Sequence, residues 1–121
     1  MSNDKKARRS IHKWSALGAG TAAVLPPPAD AVALASEEAL MTVKIAALFG
    51  HSLTKETAAQ ALATGAFGTV VGTAAAIAVF EGLNLAYPAT IPAKIAVATG
   101  VMEALGWTVY EFYKNKREAS A

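Results

Sequence analysis

Four charged residues stand inside otherwise apolar stretches: Glu37, Lys44, Lys94 and Glu103. A charge in such surroundings needs a partner, water or a functional pathway. On neighbouring helices the four could form one polar network or, inside a membrane, line an ion passage; the plainer reading is a solvated seam. Glu37 and Lys44 are two helical turns apart, about 10 Å along an axis, so they do not touch directly. Other chemistries are harder to build. Gly50 followed by Lys55 and Thr57 resembles a phosphate-binding loop only superficially, because no glycine precedes the lysine and no strand leads into it. The chain has 2 histidines, His12 and His51, without paired His/Glu spacing, and no cysteine. No metal site, disulfide or thiol nucleophile is expected. With no paired carboxylates and no nucleophile–base arrangement, the sequence predicts a non-catalytic protein without metal or cofactor.

The elements that carry these charges are apolar and basic-ended. Hydrophobic residues make up 54% and charged residues only 17%, against roughly 25% charged in an ordinary soluble domain, so the body is ordered rather than disordered. At 121 residues it is one domain. Residues 1–13 hold Lys5, Lys6, Arg8, Arg9 and Lys13 against a single acid, Asp4. The C-terminal end holds Lys114, Lys116 and Arg117 against Glu118, and the body between is acidic on balance. A basic tail over residues 1–13 suits an anionic lipid surface, at up to about 1 kcal/mol per basic residue, or simply keeps the chain soluble. No aromatic-interleaved basic face or helix-turn-helix pattern follows, so nucleic acid is not the expected partner.

Trp14 at one end, and Trp107, Tyr110, Tyr113, Lys114, Lys116 and Arg117 at the other, have the composition of membrane-interface anchors. Packing at the end of a soluble bundle is the alternative for the rings. If the chain crosses a membrane, the positive-inside tendency puts both termini on the cytoplasmic side, as in a bacterial inner membrane, with an even number of crossings. A cytoplasmic soluble form and export are the alternatives. Arg8-Arg9, the apolar run from Trp14 to Leu25 and Ala29-Asp30-Ala31 have the order of a twin-arginine leader.

The centre of the chain is the uncharged stretch Ala58 to Phe80, rich in alanine, glycine and threonine. As one helix it would span roughly 34 Å, close to the thickness of a bilayer core. At helical spacing Ala61, Gly65, Gly68, Gly72 and Ala76 fall on one stripe, with Gly68 and Gly72 forming G-x-x-x-G. Such a stripe lets helix backbones approach closely, which makes it the expected packing interface. A buried helix of a soluble bundle would use the same glycines for tight crossings.

Around it the periodicity predicts three more helices. Trp14 to Leu25 is a short apolar helix stopped by Pro26-Pro27-Pro28. A second helix runs from Ala29 to Phe49, with Asp30 near its positive end and Gly50 suited to the left-handed C-terminal position. His51-Ser52-Leu53 is a turn, Thr54 an N-cap, and Glu56 supports the next helix dipole. A last helix runs from Pro92 to Lys116, with Thr90 as N-cap and Ile95, Ala98, Met102, Leu105, Val109 and Phe112 as its core face. Glu103 lies inside that apolar run, and Lys94 or Lys44 could pair with it.

Several runs together resemble a known family. They are Pro27-Pro28-Ala29-Asp30-Ala31-Val32-Ala33-Leu34, then Met41, Lys44-Ile45-Ala46-Ala47-Leu48-Phe49-Gly50, Leu53-Thr54 and Glu56, and finally Pro92, Ala104-Leu105-Gly106, Tyr110 and Phe112-Tyr113. From about Lys13 to Lys116 the chain is similar to the DUF697 family, helical domains of unknown function. Pro28-Ala29 departs from that family's loop, where a glycine often follows the proline pair. The resemblance implies a stand-alone relative of domains often attached to Era-like small GTPases and commonly treated as membrane-associated. It brings no catalytic residues.

The sequence thus predicts an all-α fold, either a compact four-helix bundle or membrane-associated helical hairpins. Its second, third and fourth helices would pack through small residues. The expected organisation is a basic tail over 1–13, one helical domain over 14–118 and a short tail over 119–121. The expected function is a membrane-associated accessory module that contacts lipid and self-associates or binds a partner such as a small GTPase. A soluble or exported bundle that inserts into membranes later is the alternative.

Overall fold

The computed structural model describes residues 3–26, 29–67, 82–83, 85–86 and 89–120. The fold is all-α, a helical bundle, and no strand occurs among the described residues. Among the described residues the helices with set bounds are α1 (Asn3–Val24), α2 (Ala29–Leu48), α3 (Lys55–Thr64) and α4 (Ile91–Ser120).

Helix α1 is the first departure from expectation. The helix begins at Asn3, not at Trp14, so the basic segment is the first half of a 22-residue helix rather than a frayed tail. Ala7, Ile11, Ser15, Gly18 and Ala22 are all buried, and they recur every three or four residues, the period of one helix face. Five basic residues hid this stripe, because a charged run reads as solvated while the small residues between them carry little hydrophobic signal.

α1 packs chiefly on α4, and also on α2. Glycine sets the closeness of these contacts. A Cβ on Gly106 of α4 would stand 2.7 Å from Cγ1 of Ile11, and one on Gly18 would stand 3.1 Å from Cγ of Met102. A tight small-residue crossing thus joins the first and last helices, a contact the sequence reading did not expect. Around it lie Ile11, Met41, Ile45, Met102 and Val109, none of them exposed.

α2 ends as its sequence suggests. Gly50 has φ 79°, and the amides of Gly50 and His51 donate back to the carbonyls of Ala47 and Ala46 at 3.1 and 3.0 Å. This is the Schellman arrangement that closes the last turn of a helix. At the start of α3 the Thr57 amide donates to Thr54 Oγ1 at 3.0 Å, making Thr54 the N-cap. Thr90 holds the N-cap position of α4, its carbonyl accepting from the Lys94 amide at 3.0 Å, while its hydroxyl donates to the Leu83 carbonyl at 2.6 Å.

The long central rod is not continuous. α3 is only 10 residues and stops at Thr64. Gly65 takes φ 76°, and the Ala66 amide donates to the Ala61 carbonyl at 3.0 Å. Gly65 is thus the left-handed residue after a helix end, where a side chain would be strained, and not part of an in-helix stripe. Ala61 is half-buried against the core. Gly68, Gly72 and Ala76, the remainder of the predicted interface, lie outside the described residues. No helix among the described residues is long and apolar enough to cross a membrane.

Candidate functional site

The four interior charges do not assemble into one network. Lys94 pairs with Asp30, and neither side chain is exposed. Asp30 sits in the first turn of α2 and also accepts from the Ala31 amide at 2.8 Å. Glu103 accepts from His12, with Nδ1 to Oε1 at 2.7 Å, tying α4 to α1 at the surface. Glu37 accepts a 2.6 Å hydrogen bond from Thr21 Oγ1, tying α2 to α1. Lys44 is exposed on the outer side of α2. Neither partner proposed for Glu103 is the one it takes: Lys94 is paired with Asp30 inside the bundle, and Lys44 stands exposed on the surface of α2.

Nor do the C-terminal aromatics form an outward belt. Tyr110 and Tyr113 are only 4% and 5% exposed. Both rings pack on Phe49, at centroid distances of 5.5 and 6.1 Å. Trp107 is half-buried, edge-on to Tyr110. Arg117 lies 5.1 Å over the Phe49 ring, and Lys114 lies 6.0 Å from the Tyr110 centroid. These cations cover aromatic faces, a cation–π arrangement that stabilises the bundle end. Lys116 is exposed on the last turns of α4. The packing alternative thus accounts for the two tyrosines, and Trp14 is the predicted anchor that reaches a cluster of unengaged charge.

That cluster is an open groove between α1 and α2, about 320 Å³ in volume, lined by Lys6, Arg9, Ser10, Lys13, Trp14 and Lys44. On α1 the spacing of Lys6, Arg9 and Lys13 is i, i+3, i+7, which puts three cations on one face. Opposite this face stand Ala7 and Ile11, whose burial fixes the rotation of the helix. α2 runs antiparallel to α1, as the Thr21–Glu37 bond and the shared groove of Lys13 and Lys44 require. The short connection through Pro26 holds that pairing. Trp14 is half-buried and forms the wall, while the four cations are exposed.

The electrostatics of the groove favour an anion. Among the described residues none of Lys6, Arg9, Lys13 and Lys44 forms an ion pair. Lys6 closes the first turn of α1, where the positive helix end adds to the potential of the groove and disfavours a cation. One turn beyond Lys13 comes Leu17, 43% exposed, and one turn before Lys44 comes Leu40, 37% exposed. Because the helices are antiparallel, both leucines adjoin the same end of the groove. Sequence reading missed the groove because it placed residues 1–13 in a tail; the i, i+3, i+7 spacing was the available signal.

A second charged feature lies inside. Glu38 is buried, and burial pushes its carboxyl up to about 7, with the adjacent Glu37 charge adding to the shift. No three described His, Asp or Glu side chains gather to hold a metal ion. No family model, curated protein or solved structure matches the chain.

Proposed function

We propose that this protein is a non-catalytic helical module that attaches peripherally to an anionic membrane surface through the exposed face of α1 and α2. The observation that carries this reading is the groove itself: four cations without an ion-pair partner among the described residues, a tryptophan wall and two exposed leucines at one end. Cations at a lipid surface contribute up to about 1 kcal/mol each. Leu17 and Leu40 favour lipid over nucleic acid, because a phosphate backbone offers nothing for an exposed leucine to enter, whereas the headgroup–acyl boundary does. A small GTPase as partner follows from the family resemblance alone.

Sedimentation with vesicles tests this. The protein is expected to pellet with phosphatidylglycerol-containing vesicles, to stay in the supernatant with pure phosphatidylcholine, and to be released by high salt. Replacing Lys6, Arg9, Lys13 and Lys44 with glutamine should weaken binding about a thousandfold. Equal pelleting on neutral vesicles, or binding untouched by the four substitutions, would refute the proposal.

A further inference from the structure

We infer that the groove accepts a lipid headgroup carrying two phosphates rather than one. This rests on the membrane reading above and specifies the ligand. The cations are not spread over a flat face. Lys6 and Lys13 mark the ends of a line about 10 Å long on α1, Arg9 stands between them, and Lys44 faces them from α2. One phosphate is satisfied by one arginine fork or by two ammonium groups. The four cations of the groove exceed that complement. Two phosphates joined by a short polar link engage Lys6 with Arg9 at one end and Lys13 with Lys44 at the other.

The remaining lining fits such a link. Ser10 lies on α1 between Arg9 and Lys13, with a hydroxyl that both donates and accepts. Trp14 offers a half-buried ring with an apolar body and one N–H donor, suited to a site apolar on one side and wet on the other. The groove volume of about 320 Å³ is of headgroup size, at the low end for small-molecule sites. A soluble diphosphate shares the phosphate chemistry. Leu17 and Leu40 assign the source to lipid, because acyl chains leaving the groove would pass the apolar end of the same face.

The test compares phosphatidylcholine vesicles containing either phosphatidylglycerol or diphosphatidylglycerol, matched for total negative charge, with binding read by sedimentation. The diphosphate lipid is expected to bind about tenfold tighter, since it holds both cation pairs at once. Lys44→Gln should bring that ratio close to one. Arg8→Gln, which removes an exposed charge outside the groove, should weaken both lipids alike and leave the ratio unchanged. Trp14 emission, read in a Trp107→Phe background, should shift more with the diphosphate lipid. Equal binding to the two vesicles overturns this inference and leaves peripheral attachment standing; binding to neither overturns both. Free pyrophosphate at micromolar concentration should not displace the vesicles, and if it does so fully, the lipid assignment fails.

Discussion

Lys94, in the first turns of α4, is closed on Asp30, in the first turn of α2, with neither side chain reaching water. The two helices are thereby joined at their N-termini. The dipole of each helix favours the carboxylate there and opposes the ammonium. The pair must therefore act as a unit, because an isolated buried charge is far more costly than a matched one.

Asp30→Asn and Lys94→Met should each lower unfolding free energy by about 3–5 kcal/mol, since each leaves one buried charge without its counter-charge. The double variant Asp30→Leu/Lys94→Met should recover most of the loss. Denaturant midpoints of the three variants decide this. A double variant no better than the singles would mean that the pair is not the source of the loss.

Glycine substitutions should have opposite signs along a single helix. Gly106→Ala places a Cβ 2.7 Å from Ile11 Cγ1. Overpacking of this kind costs about 1–3 kcal/mol, which outweighs the roughly 1 kcal/mol that alanine gains in helix propensity. Ile11→Ala in the same chain should relieve the clash. Gly100→Ala meets no atom of the described residues within 4 Å and should raise stability by up to about 1 kcal/mol. Thermal melts of Gly106→Ala and Gly100→Ala should therefore move in opposite directions.

Glu38 should make stability fall as pH rises. Its carboxyl is held up near 7 in the folded protein, against a usual value of 4.5. Between these values the folded state keeps a proton that the unfolded state has lost, so stability declines across that window. The decline is complete above about pH 7 and amounts to roughly 3 kcal/mol at most. Glu38→Gln should remove this slope, leaving wild type and variant alike near pH 4 and the variant more stable at pH 8. Urea titrations at both pH values measure it, and a wild type equally stable at both would refute the assignment.

The leucines beside the groove should matter without controlling charge selectivity. Leu17→Ser/Leu40→Ser should weaken binding to anionic vesicles about tenfold, as burial of two partly exposed side chains is lost. The salt sensitivity should remain. Vesicle titrations at two salt concentrations separate the two contributions; an unchanged affinity would remove the leucines from the contact.

Much of the secondary structure was legible because its signals are local. Gly50 after α2 and Thr54 before α3 act through their own backbones, and each sits where its residue type demands. The apolar period of α4 was equally visible: Ala98, Met102, Leu105 and Val109 are buried and Ile95 half-buried, although Phe112, read as the end of the same face, is exposed. Gly65 shows the limit of such reading. A glycine is equally suited to a close helix crossing and to a left-handed helix end, and its sequence neighbours do not distinguish them.

Residue order was enough for the all-α class, several helix boundaries and the excess of positive charge at both ends. Where those charges act follows only from how the helices pack. Ala7 and Ile11 bury one side of α1 against the bundle and so turn Lys6, Arg9 and Lys13 together toward Lys44. The same packing assigned Lys94 to Asp30 and Glu103 to His12. Side-chain pairing between helices depends on their rotation and register, which only the packing of the whole chain sets.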